Sequence, residues 1–317
     1  MRQALSIRTD IRMDIRMRTS RMTIITTITI MITRTKARED AALGLTRLQA
    51  SFEQHGNRTV MTNKYHTAPL KIAKAFPLEA GLGVIVMDVS PGLLDGDRYE
   101  LEWNCGPGSR LFLTNQSYTK VHPAGAKGGA VLRQSFVLEE NAIVEHMPEP
   151  IMLYKQAALR SDTEVRLAPG SLWMQADVWC PGRTLRGETF LYDRFDSRLT
   201  VRYGEELIGS QRQLIEPAMQ RLNVPGSWGG ATHIGTLFAF GDRIGAQQVE
   251  AVREAVASLP ARSEYGLTVG ASLTHRHGLA VMAAGTAAWP LQEALRAAWS
   301  ALRLSLLGEP PHVLVQV

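Results

Sequence analysis

The sequence predicts a mainly β fold with two helices confined to its C-terminal third, and three observations carry that expectation. From about residue 43 to 240 the apolar residues recur with period two: Tyr99, Leu101 and Trp103 alternate with Glu100 and Glu102, and Leu199, Val201 and Tyr203 alternate with Arg198, Thr200 and Arg202. Turn chemistry interrupts this pattern at Pro91-Gly92, Asp95-Gly96-Asp97, Gly106-Pro107-Gly108, Gly128-Gly129, Pro169-Gly170 and Pro181-Gly182. No interval between these turns is long and periodic enough for a helix, which excludes crossover βαβ units over the region. The helical period appears only later in the chain.

Each element has a local reason. The alternating segments read as strands with one wet face. Over 246–259, Val249, Val252, Val256 and Leu259 share one helical face, and over 290–307 so do Leu291, Leu295, Trp299, Leu302 and Leu306. Pro290 suits a first helical turn, Gly308 a C-terminal cap, and Pro310 blocks continuation. Each helix has one apolar stripe to bury, so both are expected to cover a sheet face or edge. Many short strands fit a sandwich, a barrel or a coiled stack of β-layers, and pattern alone leaves the three open. No internal repeat of fixed period is visible, which counts against a regular solenoid.

The 317 residues suffice to bury a substantial core without staples. The net charge of +5 is unevenly placed. Residues 1–38 hold nine Arg or Lys against Asp10 and Asp14, a net of +7, which leaves the rest of the chain at −2. The chain therefore reads as a basic leader, residues 1–42, followed by one β-rich domain, residues 43–317. The leader's apolar run at 23–33 is too short to span a bilayer, and no small-residue cleavage site follows it. Its basic charge would support only non-specific contact with nucleic acid, so neither a nucleic-acid nor a membrane partner is expected. Two cysteines far apart, Cys105 and Cys180, read as reduced and cytoplasmic rather than as a disulfide framework.

Several charged residues stand at strand ends and turns. Asp95 and Asp97 suggest a calcium loop, but its further oxygen ligands and closing glutamate are missing, and aspartates flanking a glycine are expected as turn formers. Thr119 and Lys120 end a strand, where a lysine is ordinarily a solvated edge charge. Glycines in HPAGAKGGA imitate a phosphate cradle without its spacing. Glu145, His146 and Glu149 cannot form a zinc-protease helix because Pro148 and Pro150 intervene, and His146 reads as a buried, hydrogen-bonded imidazole. Asp177 lies among Trp173, Met174, Val178 and Trp179 and so either points out of an apolar layer or is buried with a partner; Arg183 and Glu188, flanking a turn, either supply that partner set or form an ion pair with each other across the turn. His275 and His277 could share one side of a strand, yet two imidazoles fall short of a closed metal site.

Six segments in order carry a further signal: KYHTAPLKIAKAFPLEAG at 64–81, SPGLLDGDRYEL at 90–101, LTNQSYTKVH at 113–122, VEHMPEPIMLYKQA at 144–157, GRTLRGETF at 182–190 and SQRQLI at 210–215. Together they resemble the urease accessory protein family called UreD or UreH, over about residues 43–240. The chain departs from the usual pattern at Asp95-Gly96, where the family has a double glycine, at His122-Pro123, where it has an aromatic-arginine pair, at His146, where it has a tryptophan, and at Gln211, where an acidic residue is usual.

The resemblance implies a coiled, β-helix-like stack of strands with two helices, acting in the cytoplasm as a non-enzymatic maturation factor with no catalytic residue and no tightly bound cofactor. It implies docking on urease apoprotein, recruitment of UreF and of the UreG GTPase, and delivery of Ni²⁺ in transit, an internal tunnel being one route. The matched segments place Asp97, Asp177 and Glu188 as transient nickel ligands and Thr119, Lys120 and Arg183 as supporting or partner-binding residues, with Arg183 orienting Glu188. Such a role suits the composition: nickel binds nitrogen and sulfur ligands tightly, so dispersed oxygen donors would release it where clustered Cys or His would not. The rival from another class is a β-barrel metal-dependent enzyme, which would need three or four converging ligands drawn from His122, His146, His233, His275 and His277.

Overall fold

A computed structural model describes residues 44–260 and 263–312, and the predicted leader lies outside them. The fold below belongs to the unit Thr46–Val317, with Leu45 beginning its first strand. In chain order the strands are β1 (Leu45–His55), β2 (Arg58–His66), β3 (Leu70–Leu78), β4 (Gly81–Asp88), β5 (Arg98–Cys105), β6 (Arg110–Asn115), β7 (Thr119–Val121), β8 (Ala130–Leu138), β9 (Ile143–His146), β10 (Ile151–Leu153), β11 (Ala158–Leu167), β12 (Leu172–Cys180), β13 (Arg194–Tyr203), β14 (Glu206–Ile215) and β15 (His233–Gly241). Helix α1 (Ala246–Ala257), β16 (Thr268–Leu273), β17 (Gly278–Gly285) and α2 (Ala288–Leu307) follow.

One sheet runs β14-β13-β11-β8-β5-β1-β2 and the other β16-β17-β15-β12-β9-β6-β4-β3. Between β4 and β13 the long strands alternate between the sheets. Each lies parallel to its counterpart one turn earlier: β5, β8, β11 and β13 on one side, β4, β6, β9 and β12 on the other. Parallel strands need a crossover, and here the crossover is a strand of the opposite sheet rather than a helix. The result is a β-solenoid of about 4 turns. It has no sequence repeat because its turns differ in length: β5, β8, β11 and β13 begin at residues 98, 130, 158 and 194. Hydrogen-bond register, not periodic spacing, stacks the coils.

Short strands β7 and β10 build a narrow third face. They pair in parallel, placing Leu153 beside Val121, which bridges to Leu93, and all three are buried. Adjacent coils approach closely at the glycine of a predicted turn: a Cβ on Gly92, at φ +134°, would lie 2.4 Å from the Lys120 carbonyl oxygen.

Between the sheets a column of rings runs along the coil. Phe52 stacks on Trp103 at 6.5 Å, Trp103 on Phe136 at 6.5 Å, Phe136 meets Trp173 at 6.0 Å, and Trp173 meets Phe240 at 6.4 Å. A second core lies between the other face of β12 and the helices, where Leu172, Met174, Ala176 and Val178 pack with Val249, Val252, Leu291, Leu295 and Leu302. Strand β12 is thus covered on both faces, which explains its nearly unbroken apolar composition. Helix α2 ends as expected, with Gly308 in the left-handed region at φ +70°. No helix among the described residues is long and apolar enough to cross a membrane.

A charged cluster is buried beneath α2. Arg303, 1% exposed, pairs with Glu145, donates from Nη2 to Glu309 at 3.0 Å and from Nε to the Pro310 carbonyl at 3.0 Å. Trp299 Nε1 donates to Glu145 at 2.5 Å, and Arg110 binds Glu309 through two bonds of 2.8 and 2.7 Å. These contacts tie residues 309–310 to β6 and β9. Removing one buried partner strands the other charge, so Arg303→Leu should lower unfolding free energy by about 3–5 kcal/mol. The double variant Arg303→Leu with Glu145→Leu should recover part of that loss in urea titrations.

Candidate functional site

The solenoid interior is not filled everywhere. A cavity of about 140 Å³ lies between the sheets, walled by Tyr99, Leu101 and Trp103 of β5, Leu132 and Gln134 of β8, and by Val86, Leu113, His146 and Asp177 of the facing strands. Its outer end is set by exposed Asp88, Ser117 and Lys120, with Asn115, Thr119 and Glu149 between. These outer residues follow from the coil: they stand at or beyond the C-terminal ends of β4, β6 and β9, which the parallel register brings level.

The inner polar group is a three-residue chain. Parallel pairing sets His146 beside Gln175, and Asp177 follows two residues along the same face of β12. Gln175 Nε2 donates to Asp177 Oδ2 at 2.7 Å, and Gln175 Oε1 lies 2.9 Å from His146 Nδ1. Because the amide oxygen can only accept, His146 Nδ1 is the donor, and its Nε2 carries the lone pair. Asp177 is enclosed by protein yet retains accessible surface; that surface faces the cavity. Burial pushes its pKa up to about 6, against the Gln175 hydrogen bond, while burial lowers His146 to about 4. Near neutrality the cavity therefore holds an ionised carboxylate beside a neutral imidazole, and the hydrogen bond to Asp177 comes from an uncharged amide.

The outer end is also hydrogen-bonded. Tyr99 OH donates to Asp88 Oδ2 at 3.1 Å, Asn115 Nδ2 donates to Thr119 Oγ1 at 3.4 Å, and Glu149 N–H donates to Asn115 Oδ1 at 2.6 Å. Gln292 of α2 donates to Glu149 at 3.2 Å. Trp103 contributes an indole N–H without a hydrogen-bond partner to the wall residues.

Of the six residues singled out from sequence, the structure brings Thr119, Lys120 and Asp177 to this cavity. Asp97 lies apart from its lining: its Oδ2 accepts the Leu94 N–H at 2.8 Å, the work of a turn former. Asp95 does the same for the next coil, accepting N–H groups of Lys127 at 3.0 Å and Gly129 at 2.8 Å. Arg183 and Glu188 also lie outside the lining, joined by Arg183 Nε to Glu188 Oε2 at 2.8 Å, with the guanidinium 4.3 Å from the Tyr154 ring centre. Of the two readings of this pair, the structure shows the ion pair across the turn and not a partner set for Asp177, whose partner is Gln175, because Arg183 lies beyond the end of β12 and is engaged by Glu188. His146 is buried and hydrogen-bonded as expected. His275 and His277 do not share a strand face; they lie in the turn between β16 and β17, where His277 has φ +50° and stacks on Tyr203 at 5.2 Å. Both cysteines are buried and free, and burial pushes their thiols up to about 12. Among the described residues no three His, Cys, Asp or Glu side chains form a group able to hold a metal.

Asp88, Asn115 and Glu149 were not singled out as cavity residues. Asn115 and Glu149 do lie in the matched segments 113–122 and 144–157, while Asp88 has only its position at a strand end, which many surface residues share.

The opposed shifts have a measurable consequence. His146 and His233, both lowered to about 4 from 6.5, stabilise the fold fully above pH 6.5 and lose that contribution as pH falls toward 4. Asp177, raised to about 6 from 3.8, disfavours the fold above pH 6 and is relieved as pH falls toward 3.8. Asp177→Asn should therefore be more stable than the native chain at pH 8 and lose stability more steeply between pH 6.5 and 4, as read by urea unfolding at stepped pH. Parallel profiles for the two proteins would contradict this assignment.

Comparison with known proteins agrees in extent with this fold. The family described as UreD urease accessory protein matches residues 44–315. A urease accessory protein UreD of Acetivibrio thermocellus is 29% identical over 252 residues, covering 79% of this chain and 94% of that protein. A UreD of Haloarcula marismortui is 28% identical over 267 residues, covering 83% of this chain and 87% of its own length. A urease accessory protein UreH of Helicobacter pylori is 27% identical over 188 residues, covering 59% of this chain and 70% of that protein. With one family matching nearly the whole described fold, this chain belongs to the UreD urease accessory protein family.

Proposed function

We propose that this chain is a cytoplasmic maturation factor for urease, which docks on urease apoprotein, recruits UreF and through it the UreG GTPase, and passes Ni²⁺ inward by way of the inter-sheet cavity. Family membership and the accessory proteins it resembles support the urease role. The observation that carries the metal path is Asp177, a buried carboxylate facing the cavity whose hydrogen-bond partner is an uncharged amide. An enclosed anion without a counter-charge is costly, and a passing divalent cation would offset that cost. Around it the outer donors are oxygens: the Asp88 and Glu149 carboxylates, the Asn115 amide and the Thr119 hydroxyl.

This chemistry suits transfer better than storage. Nickel lies near the tight end of the divalent series for nitrogen and sulfur donors, whereas single carboxylates and hydroxyls exchange it readily. Lys120, exposed at the outer end, would disfavour cations there unless engaged by a partner's acidic group, so it is assigned to partner contact rather than to ligation. Nickel is cargo in this scheme. No bond is made or broken by the chain.

The test is nickel content of urease co-expressed with the other accessory proteins and with single variants of this chain. Asp177→Asn should lower urease nickel severalfold while leaving the accessory complex intact by co-purification, and Asp88→Asn with Glu149→Gln should do so to a lesser degree. Asp97→Ala and Glu188→Ala, at residues outside the cavity lining, should have smaller effects than Asp177→Asn. Full metallation with Asp177→Asn and with the double variant would remove the proposed route.

A further inference from the structure

The outer face of the sheet β14-β13-β11-β8-β5-β1-β2 takes no part in the cavity or in the helix core, and its charge is out of keeping with the chain around it. Strand register aligns Glu100, Arg133, Asp162 and Arg198 in one row across β5, β8, β11 and β13, and Arg212 of β14 extends it. Arg98, Arg160 and Asp196 form the row on one side, and Glu102, Glu164, Arg166 and Arg202 lie on the other. With Arg194, these five strands turn eight arginines, five carboxylates and no lysine outward. The chain after residue 38 has a net charge of −2, so the positive excess is local to this face.

The carboxylates are shared among the arginines. Asp196, 2% exposed, accepts from Arg212 Nε at 2.9 Å, Arg198 Nη2 at 3.0 Å and Arg194 Nη2 at 3.3 Å. Asp162 pairs with Arg160 at 2.8 Å and with Arg133 at 4.0 Å, and Arg133 also reaches Glu100 at 3.4 Å. Glu216, just beyond β14, pairs with Arg194 at 3.3 Å. Arg98 and Arg166 are exposed and carry no ion pair among the described residues. The paired guanidiniums are thus held in place yet keep donors for a further acceptor, which lowers the ordering cost of binding.

We propose that this face docks a carboxylate-rich surface of a protein partner, an inference that rests on reading the chain as one member of a maturation assembly. Charge complementarity carries it. A guanidinium is weakly hydrated and its planar fork matches carboxylates, so arginine is accommodated at interfaces from which lysine is depleted. The size also fits: 7 strands about 4.8 Å apart make a face roughly 30 Å across, and β11 and β13, 10 residues each, give it about 33 Å of length. That area accommodates the roughly 800 Å² per partner of a standard interface. A nucleic acid fits less well. Interleaved carboxylates would meet its phosphates, and the outward residues of these five strands include no aromatic ring on which a base could stack.

The experiment is arginine footprinting with p-hydroxyphenylglyoxal and mass spectrometry on the full native chain, free and in the complex co-purified with urease apoprotein and the other accessory proteins. Arg133, Arg160, Arg166 and Arg202 should be labelled in the free chain and lose most of that labelling in the complex. In a second arm, replacing Arg133, Arg166 and Arg202 together by Gln should weaken binding of fluorescent polyglutamate by about tenfold, a factor of about two for each exposed charge pair. Residues 1–38 are the same in both proteins, so their basic charge cancels from this comparison. The proposal is overturned if the complex forms and the four arginines label as in the free chain, or if duplex DNA protects them and polyglutamate does not. Footprinting needs no variant, so a variant that fails to fold leaves the test intact. If no complex forms, the maturation reading fails by itself and footprinting with polyglutamate decides the face: protection supports it, and unchanged labelling overturns it.

Discussion

A flattened β-coil is only as wide as the side chains that fill it, and that constraint governs the rest of this molecule. The two sheets are held apart by the stacked rings of Phe52, Trp103, Phe136, Trp173 and Phe240, contributed by β1, β5, β8, β12 and β15. Each ring rests on the ring of a neighbouring coil, so burial of apolar area and register of the strands reinforce one another. A one-residue slip in any rung would turn its ring outward and open the column.

The cavity is the complement of that column. Beside Trp103 and Phe136 the facing strands present His146, Gln175 and Asp177 instead of further rings, and the interior there stays open, with these polar groups set among apolar walls. Parallel stacking then levels the ends of β4, β6 and β9, so residues distant in sequence meet at one opening. On the opposite face of β9, Glu145 is locked to Arg303 and Trp299 of α2, while the next residue, His146, looks into the cavity. Period-two geometry thus lets one short strand serve a structural charge cluster on one face and the cavity wall on the other.

Much of this was legible in the sequence, and the limits have physical causes. Alternation marked the strands, and Val249, Val252, Leu291, Leu295, Leu302 and Leu306 marked the buried helix faces, because both periods survive in a single chain. Asp177 stood out as a carboxylate among tryptophans. Its partner Gln175, two residues along the same strand face, was not singled out; His146 joins the pair only through the β9 and β12 register, and coils of unequal length leave no repeat from which to read it. Asp97 and the Arg183–Glu188 pair, drawn from matched segments, stand outside the cavity lining, Asp97 accepting a turn N–H and Arg183 orienting Glu188 as that reading has it. The six ordered segments identified the family ahead of the fold, since they mark the turns where coils touch, as Gly92 does against Lys120.

The account depends on a cation entering the space between the sheets rather than remaining on the surface. Crystals of the chain equilibrated with nickel and measured on either side of the nickel absorption edge would locate it directly. An anomalous peak inside the solenoid, in the cavity beside Asp177, is the predicted result. Peaks confined to exposed imidazoles such as His55 and His275, with none in the interior, would contradict it.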